Sequence, residues 1–318
     1  MRVAVTGSQG YIGSVLTKML AEQGHAVYAC DVKDHELPKH CIRSYRGSFD
    51  EDNFVYTVLQ SCDVVFHLAA DSLLGPSAYN PLQYYWNNTS RTINFLHKLK
   101  ERHWQGHVVF SSTAAVYGAQ FEPVTEQSPT NPCNHYGKSK LMCEQALQTV
   151  HKYGIRTTMF RYFNVAGAYD DVGQDSGEPH LLTRVCNAAA GIQPLVVYGN
   201  DYNTKDGYCV RDFVHVRDIC QAQIHAAETF NSEQNIPRVY NLGTHDGISV
   251  KEIINRFQQV TGINIDYTVG DRREGDPDYL VADPSAFMVD TGFNYSYSNT
   301  DTIIESAWDY FKRKHNGI

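Results

Sequence analysis

Thr6-Gly7-Ser8-Gln9-Gly10-Tyr11-Ile12-Gly13 is the stretch on which the fold turns. It follows the short apolar run Arg2–Thr6 and opens a helical pattern over Tyr11–Gln23. Glycines spaced Gly-x-x-Gly-x-x-Gly permit a tight strand-to-helix turn, close backbone approach to a phosphate, and close packing of helix on sheet. A helix beginning there offers free N–H groups and the positive end of its dipole to an anion. A glycine triplet alone could be a plain turn. Strand, turn, helix and second strand in order make it a dinucleotide loop, with Gly7, Gly10, Tyr11, Ile12 and Gly13 as candidate contacts.

The second strand pattern, Ala26–Asp31, ends in a carboxylate. An acid at that position accepts the ribose hydroxyls of NAD and repels the 2′-phosphate of NADP, so NAD is the expected cofactor. Lys33 is nearby and is expected to point into solvent.

Outward from this loop, apolar runs at Asp63–Ala69, His107–Ser112 and Arg156–Tyr162 alternate with helical patterns at Asp52–Gln60, Pro81–Arg102 and Tyr136–Tyr153. Continuous apolar strands between helices predict a Rossmann-type, doubly wound parallel α/β sheet. Leu82, Tyr85, Thr89, Ile93 and Leu96, and later Met142, Ala146 and Val150, follow helical spacing. These stripes predict packing on the sheet, and a second apolar face on each helix would suit an isologous dimer. After Tyr162 the texture changes. Ala166–Pro179 and Gly199–Gly207 read as loops, with strands at Leu195–Tyr198 and Val239–Leu242 and helices near Val250–Thr261 and Thr302–Lys314. The expected division is an NAD-binding domain over residues 1–165 and a smaller C-terminal α/β substrate lobe over 166–318. Parts of 209–244 are expected to return to the first sheet.

Bulk properties narrow the class. Of the 318 residues, 42% are hydrophobic and 19% charged, as in a soluble globular protein. A net charge of −8 argues against a broad nucleic-acid surface. No apolar run is long enough to span a bilayer, and the chain enters its first strand without the apolar region of a signal peptide. The 8 cysteines form no Cys-x-x-Cys pair, and the 14 histidines form no His-x-x-x-His pattern. Reduced thiols, a cytoplasmic location and no metal site are expected.

Tyr136-Gly137-Lys138-Ser139-Lys140 sets a phenol and an ammonium one helical turn apart. Opposite charge favours the phenolate. Bringing a tyrosine from about 10 to near 7 takes roughly 4 kcal/mol, and one charge supplies only about 1–3 pKa units. A second cation must help, and an oxidised nicotinamide ring would be one. The spacing alone is common on surface helices; its order behind the dinucleotide loop is what gives it weight.

Together with Phe110-Ser111-Ser112-Thr113 at the end of the fourth strand pattern, these residues resemble the extended short-chain dehydrogenase/reductase family. The resemblance implies a catalytic triad of Thr113, Tyr136 and Lys140. It implies cofactor contacts at Ser48, Phe49, Leu68, Ala69, Ala70, Asn88, Ser111 and Phe163, besides Asp31, Tyr136, Lys140 and the loop. Arg161–Ala168, Gly199–Tyr202, Val210–Val216 and Arg272–Pro277 resemble the family's nucleotide-sugar 4-epimerases. That implies interconversion of UDP-glucose and UDP-galactose at C4 through a transient 4-keto sugar. Tyr136 would be the base, Lys140 would lower its pKa, and Thr113 would assist. Substrate contacts implied beside Thr113 and Tyr136 are Asn164, His180, Leu181, Tyr198, Arg211, Arg273 and Asp276. Guanidinium groups such as Arg211 and Arg273 suit a diphosphate.

Departures from the pattern bear on the cofactor. Ser72 stands where the family often has a lysine, and Gly47-Ser48 replaces a Gly-Asp pair that usually meets the adenine amine, with Asp50 two residues later. Ala114 and Ala115 after Thr113 argue against a dehydratase, which needs an acid there. The resemblance implies that Leu280 stands beside the sugar C2, where a bulky side chain would disfavour an N-acetyl group. A UDP-N-acetylhexosamine or UDP-uronate epimerase, or a decarboxylase, stays open as an alternative; a non-catalytic NAD sensor is a remote one.

Overall fold

The computed structural model describes residues 1–33, 41–174, 180–230, 237–273 and 276–315. Parts of two sequence motifs, residues 175–179 and 274–275, lie outside the described residues. The first half alternates β1 (Arg2–Thr6), α1 (Tyr11–Glu22), β2 (Ala26–Asp31), β3 (Arg43–Arg46), α2 (Asp52–Ser61) and β4 (Val64–His67). Then come α3 (Leu74–Tyr79), α4 (Pro81–Tyr84), a π-helical turn (Tyr85–Ser90), α5 (Arg91–Glu101), β5 (His107–Thr113), α6 (His135–Thr149) and β6 (Arg156–Tyr162). The second half contains β7 (Asn164–Ala166), β8 (Ala168–Tyr169), β9 (Val172–Gly173), α7 (Leu181–Ala189), β10 (Leu195–Tyr198), β11 (Val210–His215), α8 (Val216–Thr229) and β12 (Arg238–Leu242). It closes with β13 (Gly247–Ser249), α9 (Val250–Thr261), β14 (Tyr267–Gly270), β15 (Tyr279–Leu280), α10 (Ser285–Thr291) and α11 (Thr300–Lys314).

The described chain divides into two units. The first comprises Met1–Gly118, Pro129–Tyr162 and Cys220–Tyr240. Its sheet has the order β12-β6-β5-β4-β1-β2-β3, with parallel registers from β3 through to β6. Strand order reverses between β1 and β4, which opens a crevice at the carboxyl ends of those strands, the usual place for a nucleotide. β4 and β5 are buried along their whole length, as strands covered on both faces must be. Ala4, Val65, Val108, Phe110, Phe95, Leu147 and Met159 belong to one apolar core. The edge strand β3, Arg-Ser-Tyr-Arg, is mostly exposed, and its polar composition gave no strand signal in the sequence.

The expected continuous helix Pro81–Arg102 is interrupted. The π-helical turn shifts the phase of the apolar stripe, so Tyr84, Thr89, Thr92, Phe95, Leu96 and Leu99 are buried while Leu82 and Ile93 are exposed. Met142 on α6 is likewise exposed, not packed on the sheet. The helix expected over Tyr136–Tyr153 starts at His135, capped by Asn134, and its last turn is a 3₁₀ segment.

The second unit comprises Ala119–Ser128, Phe163–Ile219 and Asn241–Ile318. β11 runs between β7, β13 and β15, and β10 pairs with β14. Leu182, Val185, Phe257, Ile304 and Trp308 form part of its core. The buried Asp212 carboxylate accepts hydrogen bonds from the Thr244 amide (2.8 Å) and hydroxyl (2.8 Å), the His245 amide (3.1 Å) and the Ala282 amide (3.1 Å). It thereby joins β11 to the segments after β12 and β15.

Candidate active site

Gly7 sits at φ +70°, and a Cβ there would lie 2.7 Å from the Ala69 amide nitrogen. A Cβ on Gly13 would lie 2.0 Å from the Gly7 carbonyl oxygen. Both positions therefore require glycine. α1 follows Gly10 as its N-cap, with no side-chain cap and no acidic residue in its first turn, so its own side chains leave its first N–H groups and positive end uncapped. The Asp31 carboxylate accepts from the Gln9 amide (2.9 Å) and the Lys33 amide (3.0 Å), which fixes it beside the loop; Lys33 itself is exposed. Thr6 Oγ1 accepts from the Ala69 amide at 3.2 Å and lies 2.7 Å from His67 Nδ1. His67 is buried and neutral; burial first, and the nearby Lys140 second, push its pKa down to about 3. Glycines that let the turn pack this tightly on the strand and helix, an uncapped helix end and a fixed carboxylate together fit a dinucleotide.

The other expected cofactor residues fall into two kinds. Leu68, Ala69 and Ala70 follow β4 at the crevice. Phe49 turns its ring into the core, at 4.5 Å from the His67 ring and 5.8 Å from that of Phe95. The Asn88 amide is engaged internally, accepting from the Asp71 amide (2.8 Å) and donating to the Asp71 carbonyl (3.0 Å) and the Ser139 hydroxyl (3.0 Å). Ser111 Oγ lies 3.0 Å from Tyr162 Oη. Ser48 donates to the Asp50 carboxylate, which also accepts from Asn94 at 2.9 Å. Ser72 is exposed.

Thr113 is the last residue of β5, and its Oγ1 accepts from the Ala115 amide at 3.1 Å. Asn134 caps α6 by accepting from the Gly137 amide at 2.8 Å. A Cβ on Gly137 would lie 2.5 Å from the Ala115 carbonyl oxygen, so the start of α6 is pressed onto the turn after Thr113. That contact brings Tyr136 to Thr113. Burial pushes the Tyr136 phenol up to about 12, opposed by a hydrogen bond with Thr113, while Tyr84 and Cys143 push it further up. Lys140 is 3% exposed, with Nζ 4.5 Å from the centre of the Phe110 ring. Burial pulls it down to about 8, against the raising influence of Cys143 and Glu144. The sequence leads one to expect Lys140 to lower the pKa of Tyr136. In the structure desolvation is the largest influence on both, and it favours phenol and amine.

In the second unit, Arg211 donates to the Asp276 carboxylate and to the Pro277 carbonyl (2.7 Å). Asp276, implied above as a substrate contact, thus engages Arg211. Arg273 stacks on the Tyr198 ring at 4.1 Å, and Arg184 reaches the same ring at 5.0 Å. Arg184 escaped the sequence reading because no motif contains it. Asn164 is paired with Phe213, and Leu280, 9% exposed, lies opposite Arg211 in the β11–β15 register. Phe163 is buried, and His180 and Leu181 stand at the start of α7.

Residues 3–243 match the model of the NAD dependent epimerase/dehydratase family. The chain is 39% identical over 330 residues to a UDP-glucose 4-epimerase of Lactobacillus helveticus, covering 100% of this chain and 99% of that protein. Its structure is similar to that of a Brucella ovis UDP-glucose 4-epimerase in complex with NAD (TM-score 0.90, 37% identity, 98% of each chain). It is also similar to a Bifidobacterium longum UDP-glucose 4-epimerase in complex with NAD+ and UDP (TM-score 0.91, 31% identity, 100% of each chain).

Proposed function

The chain belongs to the NAD dependent epimerase/dehydratase family, and on that premise we propose that it is an NAD-dependent epimerase that interconverts UDP-glucose and UDP-galactose at C4. The observation that carries the reading is the hydrogen bond between Thr113 and Tyr136, with a buried Lys140 one turn along the same helix, in the unit that holds the dinucleotide loop. NAD, when bound, supplies the acceptor and later the donor of the C4 hydride. The loop amides and the N-terminus of α1 hold its pyrophosphate, and Asp31 holds a ribose. Lys140 holds ribose hydroxyls and supports the ionised phenol. Tyr136 takes the proton of the C4 hydroxyl and returns it, a general-base role that needs a pKa near the working pH. Thr113 hydrogen-bonds the reacting oxygen. Arg211, oriented by Asp276, and Arg273 bind the diphosphate; Asn164, His180, Leu181 and Tyr198 complete the substrate side. Leu280 limits room for an N-acetyl group.

The working state is a cytoplasmic homodimer. Its support is the exposed apolar surface of neighbouring helices, with Leu82, Trp86, Ile93 and Met142 between 45% and 77% exposed. Among the described residues no helix is long and apolar enough to cross a membrane.

The test is turnover by purified, NAD-loaded protein of UDP-glucose, UDP-galactose and their N-acetylated forms, side by side. Conversion of the first two is expected. Turnover of none of the four would sink the epimerase reading, and preference for the acetylated pair would overturn the role given to Leu280.

A further inference from the structure

Glu144 lies on α6 one turn beyond Lys140 and is 1% exposed. Its carboxylate accepts from Ser112 Oγ, from Arg161 Nε (3.1 Å) and from Arg161 Nη2 (2.7 Å). Arg161 Nη1 in turn donates to Tyr117 Oη (2.8 Å), with the guanidinium 4.8 Å from that ring. Ser112 precedes Thr113 on β5, Tyr117 follows the turn after Thr113, and Arg161 stands on β6. The network thus gathers β5, β6, that turn and α6 around one buried carboxylate. A buried ion pair is a poor source of stability, because well-packed apolar side chains serve as well. It does fix geometry, since two charges in a dry site tolerate little displacement.

We propose that Glu144 is a positioning residue which, through Ser112 and Arg161, holds Thr113 on β5 against Tyr136 and Lys140 on α6. The inference rests on the epimerase reading. Thr113 and Tyr136 belong to different elements, and a proton passes between oxygens only at hydrogen-bond distance. The Gly137–Ala115 contact sets one point of approach between them. The Ser112–Glu144 bond sets a second, two helical turns beyond Tyr136, and so fixes the angle as well as the distance.

Ser112→Ala cuts this tie and leaves the Glu144–Arg161 pair intact, so the fold survives. The NAD-loaded variant should lose about tenfold in kcat on UDP-galactose, with KM and the NAD Kd within about twofold, because displacement of catalytic groups by about 1 Å can cost up to 10²-fold. In a Thr113→Ala background the same substitution should cost nothing more, since Ser112 acts through Thr113. An unchanged kcat, or equal losses in both backgrounds, overturns the proposal. A second readout does not need turnover. The Thr113 hydroxyl lowers the pKa of Tyr136, so loosening β5 should move its titration to higher pH in the NAD-loaded protein. Tyr84, Cys143 and Tyr162, which interact with Tyr136, are themselves pushed up by burial and stay neutral, and Lys140 stands one turn along α6. The ultraviolet phenolate band, with Tyr136→Phe as blank, measures that midpoint. An unmoved midpoint overturns the clamp whatever the turnover. A moved midpoint in a protein that converts no UDP-sugar keeps the clamp and removes the epimerase reading.

Discussion

Lys140 is a buried ammonium set over the face of the Phe110 ring. Folding disfavours its charged form, from the ordinary 10.5 down to about 8, which corresponds to about 3 kcal/mol. Between those pH values the unfolded chain holds the extra proton, so this residue's contribution to stability rises with pH across that window. Lys140→Met should therefore stabilise the cofactor-free protein by up to about 3 kcal/mol at pH 7 and by much less near pH 10. Urea unfolding at the two pH values checks this; a less stable variant at pH 7 would contradict it. The same variant should bind NAD more weakly, because the role proposed for Lys140 is to hold the ribose hydroxyls, and such a role is compatible with a cost in stability before the ligand arrives. Tyr136→Phe should reduce turnover by at least about 10²-fold while UDP binding, followed by calorimetry, stays within twofold, because general-base catalysis supplies about 10²–10⁴. The approach of Tyr136 to Thr113 was legible in the sequence because the order of Thr113, Tyr136 and Lys140 along the strands and helices is specific. Glu144 was present in the same helical spacing, at 136, 140 and 144, but a carboxylate on a helix reads as solvated until Arg161 is seen beside it. The protonation states were not legible at all, since burial is not written in the spacing.

Gly137 shows what an element demands of one position. In an exposed helix alanine outperforms glycine by about 1 kcal/mol. Here the added Cβ would meet Ala115 O at 2.5 Å and Pro132 Cβ at 3.0 Å. Gly137→Ala should instead destabilise by about 1–3 kcal/mol and lower kcat, because the start of α6 must lift away from the turn after Thr113. Thermal melts and steady-state rates test both parts; an unchanged rate would detach Tyr136 from that contact. Asn134→Ala, which removes only the cap, should cost about 1 kcal/mol and leave the packing intact. Elements with strong period or β-branched runs were readable, and β1, β2 and β6 fall at their expected residues. The π-helical turn at Tyr85–Ser90 was not, since one extra residue per turn leaves the composition unchanged while rotating every later side chain.

At the scale of the whole molecule, βαβ alternation was enough to foresee the parallel sheet, whereas the path of the chain between units depends on long-range pairing. Three buried histidines make stability fall in acid. Burial holds His67 and His107 at about 3 and His215 at about 4, below the ordinary 6.5. Unfolding lets each take a proton, so from about pH 6 down to 4 each costs up to about 1.4 kcal/mol per pH unit. Denaturant titrations over that range should show the loss, and His107→Gln should make it shallower; an identical slope would exclude His107 as a source. One topological feature reaches further. β12 closes the sheet beside β6, yet it is supplied by residues 238–242, after most of the second unit's strands have been made. During synthesis, a chain whose first 162 residues have left the ribosome exposes β6 as an unpaired edge until the exit tunnel releases residue 242. That interval is when a nascent chain would need a chaperone, and a message truncated between the two strands should yield an aggregating product in place of a free-standing NAD domain.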